Sequence, residues 1–362
     1  MEIGILTYYG VHNHGAVLQA NGLKRILEKH GHSVRFLSFE RNYGYIPAEE
    51  TKKYKIGIGS IPYYFKYLIQ KGAGSILYNY KKSRTLNAFR SASFDINTTY
   101  DAFDGDATVI GSDEVFSLEI GYNPMMYGYG LKTKKILSYA GSFGPSTISE
   151  IIDKDKTKEI ANGLRKFCAI SVRDVNSQSI VRELCGIEAQ LVCDPVILYG
   201  YEEEQKEFVP TEKNYIVVYA YDNRMNDDDE VSRIREYAKK RNLKIFSVGY
   251  YHKWCDKCIN ASPVELLGWI RNAELVVTDT FHGSVMSIIC NTPMAVKLRG
   301  NANKLAYLLS EYGLSDRIMD SFDSLEKVAG NTVNFENVNN LLIEKRAESL
   351  SFLKTAIGDR EE

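Results

Sequence analysis

Short runs of β-branched and aliphatic residues alternate along the chain with longer segments whose apolar positions recur every three or four residues. That alternation predicts an α/β fold with mostly parallel sheets. Residues 1–6 read as a first strand and 34–39 as a second. Between them a helix is predicted over 16–30, because Val17, Ala20, Leu23, Ile26 and Leu27 share one face and Gly31 supplies a stop. Further strands are predicted at 107–110, 135–140, 169–172 and 189–192, the last running into Asp194 and Pro195. The polar stretch 201–214, with five glutamates and Pro210, reads as a linker between domains. A second series then begins: strand 215–219, helix 229–241, strand 244–248, helix 263–272, strand 275–278, helix 284–290 and strand 294–296. Near the end Val338, Leu341, Leu342, Leu350, Leu353 and Ile357 predict a helical tail over 337–357. The expected division is a first domain over 1–205, a second over 206–335 and the tail over 336–362.

Composition narrows the function classes. Basic and acidic residues number 45 and 46, a formal net charge of −1, so no global field draws the chain to nucleic acid. The opening MEIGILTYYG has neither the charged nor the long apolar region of a secretory signal. No run of about 20 apolar residues occurs, as a membrane-spanning helix would need. Six cysteines in 362 residues do not make a disulfide scaffold, and the expectation is a cytoplasmic protein. Neither series carries a G-x-G-x-x-G or G-x-x-x-x-G-K-[ST] loop, which argues against dinucleotide binding and P-loop hydrolysis.

Two successive α/β domains form a cleft between the carboxyl ends of their strands, where open parallel sheets bind ligands. The sharpest feature there is TDTFHGS, 278–284: a buried strand ends, and a helix begins just after a glycine. Backbone N–H groups and the helix dipole at such a junction suit an anion. Gly283 allows close approach, Ser284 opens the helix, and His282 is placed to donate a hydrogen bond or move a proton. A capped, packed histidine fits the same pattern equally well. Cys255 and Cys258 form a C-x-x-C of the redox type and, with His252 nearby, offer three of the four ligands zinc asks for, but read more simply as a pair of loop thiols.

TDTFHGS, together with SPVELLGWIRNAELVV just upstream, resembles the polysaccharide pyruvyl transferase family. NHGAVLQA (13–20), IGSDEVFS (110–117), SYAGSFG (138–144), ISVRDVNS (170–177), CDPVIL (193–198) and NKLAYLLSEYGLSDR (303–317) extend the resemblance in order along the chain. It implies two Rossmann-like domains facing a cleft, as in glycosyltransferases of the B type, with a C-terminal helix. It also implies phosphoenolpyruvate as donor and a hexose such as galactose as acceptor, two of whose hydroxyls become a pyruvate ketal in a capsular or exopolysaccharide precursor. No metal and no cofactor beyond this co-substrate is implied.

The donor carries a carboxylate and a phosphate, so its site needs several cations. By motif position these are Arg173 and Lys304, with His282, Gly283 and Ser284 on the phosphate. Some members have an arginine where Thr280 stands here; either Arg299 or Lys297 supplies that charge or the donor is held more weakly. His282 is the expected proton carrier and Asp194 a second acid or base, with a structural Asp-Pro turn as its plainer reading. Asn13, His14 and Asp113 are expected on the acceptor, or else as helix caps. Two alternatives stay open: a B-type glycosyltransferase using a nucleotide sugar, and a non-catalytic sugar- or lipid-binding partner of polysaccharide assembly.

One segment stands apart. From 51 to 94 there are nine basic residues and no acidic one, interleaved with tyrosines and phenylalanines. That mixture suits an anionic membrane surface, such as the inner face carrying lipid-linked precursors; solvated helices covering the first domain fit as well, and nucleic acid is a weaker third reading because no binding motif accompanies the charge.

Overall fold

A computed structural model describes residues 1–42, 61–300 and 302–359, and of 61–71 the backbone alone. Among these, the first seven strands form one parallel sheet. They are β1 (Glu2–Leu6), β2 (Ser33–Ser38), β3 (Thr98–Thr99), β4 (Ala107–Ile110), β5 (Lys135–Gly141), β6 (Ala169–Val172) and β7 (Gln190–Leu191), in spatial order β3-β2-β1-β4-β5-β6-β7. The next six form a second parallel sheet: β8 (Tyr215–Tyr219), β9 (Lys244–Val248), β10 (Lys257–Ile259), β11 (Leu275–Thr278), β12 (Met294–Lys297) and β13 (Ile318–Met319), in order β10-β9-β8-β11-β12-β13. Strands covered on both faces read as continuous apolar runs rather than alternating ones. All of β4 and β8 are buried accordingly.

In each sheet the order reverses beside its first strand, between β1 and β4 and between β8 and β11. Connections there leave in opposite directions and open a crevice at the strand ends. Helix α1 (His14–Lys29) follows β1; the Asn13 side chain caps it by accepting from the Gly15 N–H at 2.9 Å. One continuous apolar cluster joins Ile3, Val17 and Leu23 of the first half to Val217, Val285 and Met286 of the second. The C-terminal helix (Phe335–Ile357) runs back from the second half onto the first. There the Ser349 hydroxyl accepts from the Cys193 N–H at 2.9 Å and Arg346 Nε donates to Ile197 O at 2.6 Å.

The basic segment is only partly described, since 51–60 and the side chains of 61–71 lie outside. A helical stretch covers Ile61–Ser93, broken at Gly72, whose φ of 73° leaves the helical region. Along its later part Leu77, Tyr80, Lys81 and Arg84 are exposed, but Lys82 and Arg90 are buried. Tyr78 donates to Ile259 O at 2.8 Å in the second half, and Arg90 donates to Val11 O at 3.0 Å in the first. A reading of the whole segment as solvent- or membrane-facing is therefore corrected at Lys82 and Arg90. Among the described residues no helix is long and apolar enough to cross a membrane, and no group of His, Cys, Asp and Glu is arranged to hold a metal ion. Burial raises both the Cys255 and Cys258 thiols, and Cys258 Sγ lies 3.2 Å from His252 O.

Candidate active site

The loops beyond β1, β4, β6, β8 and β11 enclose a cleft of about 770 Å³ between the two halves. Arg173, the residue after β6, lies at its floor and is almost wholly buried. Its Nη1 donates to Asp194 Oδ2 at 2.9 Å and to Gln19 Oε1 at 3.0 Å, and its Nη2 donates to Asp113 Oδ1 at 3.1 Å. The guanidinium carbon sits 4.8 Å from the centre of the Phe281 ring. Burial alone would raise both carboxyls. For Asp113 the fields of Arg173, His282 and Lys304 outweigh it, and for Asp194 those of His282 and Arg173, so both titrate below the usual range. Asp113 also has φ of 80°, a left-handed backbone uncommon outside glycine and costly unless the surroundings impose it.

His282 reaches the same point from the second half. Its Nε2 lies 3.3 Å from Gln19 Oε1 and 3.7 Å from Asp194 Oδ2. Gln19, on α1, thus touches both the arginine and the histidine. The helix carrying His282 begins earlier than its sequence indicates, at Phe281–Ile289 rather than 284–290, because Thr280 accepts from the Gly283 N–H at 2.9 Å and so acts as its cap. That places His282 in the first turn, where a developing negative charge is favoured. Gly15 is what lets the halves meet here, for a Cβ at that position would overlap the imidazole.

Arg173, His282, Lys304, Asp113 and Asn13 all line the cleft. Lys304 forms an ion pair with Glu114, reaching from the second half to the first. Asn13 Nδ2 donates to the Tyr221 hydroxyl at 3.4 Å while its oxygen caps α1, so the residue is a helix cap set in the cleft wall. Four expected residues lie behind the lining instead. Asp194 is covered by Arg173 and His282, with its second oxygen accepting from the Val196 N–H at 2.9 Å. His14 is fully buried, its Nε2 donating to Ala261 O at 2.9 Å, and burial lowers its pKa to about 3. Gly283 packs on Thr278 and Thr280, and the Ser284 hydroxyl donates to Thr280 O at 3.3 Å. Nor do Arg299 and Lys297 face the cleft: Arg299 holds Asp279 at 2.5 Å and Glu230 at 2.8 Å, and Lys297 donates to Asp320 O.

Sequence reasoning missed Gln19, Glu114, Tyr221 and Arg224. Gln19 stands within the NHGAVLQA block, but inside an apolar helical run nothing singles its side chain out. Glu114 adjoins Asp113 and became visible only through Lys304. Tyr221 and Arg224 lie in the loop after β8, where the quoted motifs do not reach.

Over their full lengths the chain and S. aureus MnaA, solved with UDP, share a fold: TM-score 0.53, 8% identity, coverage 100% of this chain and 98% of that one. The glycotransferase of kitacinnamycin matches with TM-score 0.50 and 12% identity over 98% of this chain and 99% of that one. Likeness at such identity speaks for the fold alone, here the glycosyltransferase B type with a C-terminal helix. Among curated protein sequences none matches this chain significantly. The sequence model for polysaccharide pyruvyl transferases matches residues 13–297, which hold every cleft residue named above except Lys304. By that match the chain belongs to the polysaccharide pyruvyl transferase family.

Proposed function

We propose that the protein transfers pyruvate from phosphoenolpyruvate to two hydroxyls of a hexose in a surface-polysaccharide precursor. The observation that carries this reading is the convergence of Arg173, His282 and Lys304, from both halves of the fold, on one cleft. An acid-base group beside fixed cations is what the reaction asks for. A proton delivered to the methylene carbon and attack of the first hydroxyl on the neighbouring carbon give a tetrahedral phosphoketal. Phosphate then leaves with the electron pair of its C–O bond, and the second hydroxyl adds and loses its proton to close the ketal.

His282 delivers the first proton in this scheme. Asp194 faces its Nε2 from behind and is a positioning residue that stabilises the charged imidazole. Asp113 and Asn13 face the acceptor, with Asp113 as the candidate base. Lys304 takes a donor oxyanion by exchanging Glu114 for it. The exposed Leu77, Tyr80, Lys81 and Arg84 support contact with an anionic membrane carrying a lipid-linked acceptor.

The test is release of inorganic phosphate from phosphoenolpyruvate with and without galactosides, free or lipid-linked. Acceptor-dependent phosphate that disappears in His282→Ala supports the reading. Stabilisation of the fold by a nucleotide sugar but not by phosphoenolpyruvate would replace it with glycosyl transfer.

A further inference from the structure

The cluster at the floor of the cleft is short of positive charge. Two cations, Arg173 and Lys304, stand against three carboxylates, Asp113, Asp194 and Glu114. A donor bearing both carboxylate and phosphate, close to a trianion at neutral pH, needs a further cation to enter such a place. The cleft supplies one that the motifs do not mark. Arg224, in the loop after β8, lines it. Its Nη1 is buried and lies 3.8 Å from Asp279 Oδ1, beyond hydrogen-bond reach. Asp279 is meanwhile committed to Arg299, whose Nε donates to its other oxygen at 2.5 Å. Among the described residues Arg224 Nη1 has no hydrogen-bond partner.

The arginine is nevertheless held in place. Its guanidinium carbon is 5.0 Å from the centre of the Tyr221 ring, and that ring meets Tyr250 edge-on at 5.4 Å. Asp279 directly follows β11 and precedes the helix of His282, so Arg224 leans on the same strand end that presents the histidine. A braced, always-charged fork that lines the same cleft as His282 and has a donor without a hydrogen bond matches a phosphate group.

We infer that Arg224 is the phosphate-binding residue of the donor site, its guanidinium taking the oxygens of the group that leaves. This rests on the donor reading above. It assigns the carboxylate end to the Arg173 and Lys304 side, and makes Arg224 the residue that follows phosphate as its C–O bond breaks.

Binding to wild type, Arg224→Gln and Arg224→Lys is measured by calorimetry in phosphate-free buffer with three probes: phosphoenolpyruvate, inorganic phosphate and pyruvate. Arg224→Gln is expected to bind phosphoenolpyruvate and phosphate about tenfold or more weakly, with pyruvate unchanged and Arg224→Lys between. Unchanged affinity for phosphate and phosphoenolpyruvate in Arg224→Gln overturns the inference, as does selective loss of pyruvate. If wild type binds phosphate through Arg224 but does not bind phosphoenolpyruvate, the donor reading falls while the phosphate site stands.

Discussion

Replacing Arg173 by alanine tests the floor of the cleft most directly. A cation that merely faced a ligand could be removed with the fold intact and only donor use weakened. The geometry predicts more. The side chain is 3% exposed and holds Asp194, itself 0% exposed, at 2.9 Å, along with Asp113 and Gln19. Truncation leaves a fully buried carboxylate without its cation, and such losses cost about 3–5 kcal/mol. Against a typical total of about 5–15 kcal/mol this is a large fraction. Urea unfolding at pH 7 should therefore show Arg173→Ala less stable by about 3–5 kcal/mol, with unchanged m-value. The pH dependence follows from the sign of the carboxyl shifts. Both Asp113 and Asp194 are held below their ordinary 3.8 in the folded protein. Their stabilising contribution is thus present above that value and lost as pH falls through the lower folded one. Without the guanidinium, burial raises both carboxyls, so protonation relieves the variant and its deficit should narrow as pH drops toward 4. A deficit below about 1 kcal/mol at pH 7, or one that does not narrow on acidification, would refute the reasoning.

Three other outcomes are expected. Gly15→Ala forces a methyl into the space of the His282 ring, and should abolish turnover while shifting the His282 imidazole resonances in NMR. Lys304→Gln breaks a partly exposed pair, so unfolding free energy should move by less than about 1 kcal/mol while donor affinity falls about tenfold. Lys82 is buried over the Tyr250 ring at 3.9 Å, and burial lowers its pKa from 10.5 to about 8. Between those values the unfolded chain binds more protons, so wild-type stability relative to Lys82→Met should rise from pH 8 to 10.

Much of the fold was legible because its central strands are short, mostly apolar runs. The predicted 107–110, 169–172, 215–219, 244–248 and 275–278 coincide with β4, β6, β8, β9 and β11. Edge strands such as β3 and β13 span two residues each, too short for any periodicity to show. Of the site, residues directly following buried strands were readable: Arg173 after β6 and His282 soon after β11. Depth was not. Asp194 and His14 have the chemistry of surface ligands and the burial of core residues, and nothing in their neighbours along the chain distinguishes the two. Gln19 and Arg224 matter through partners on other elements, a relation only folding creates.

The helical stretch that ends at Ser93 ties the two halves together, through Tyr78 to Ile259 and through Arg90 to Val11, and the C-terminal helix ties them again at Cys193 and Ile197. With two such braces and a shared apolar seam, neither half can melt alone, and a calorimetric scan should give a single endotherm. The same bracing leaves little freedom for the halves to swing as rigid bodies. Traffic in and out of the cleft then falls to the short segments at its rim, and turnover should respond to mutations there more than to solvent viscosity acting on a whole domain.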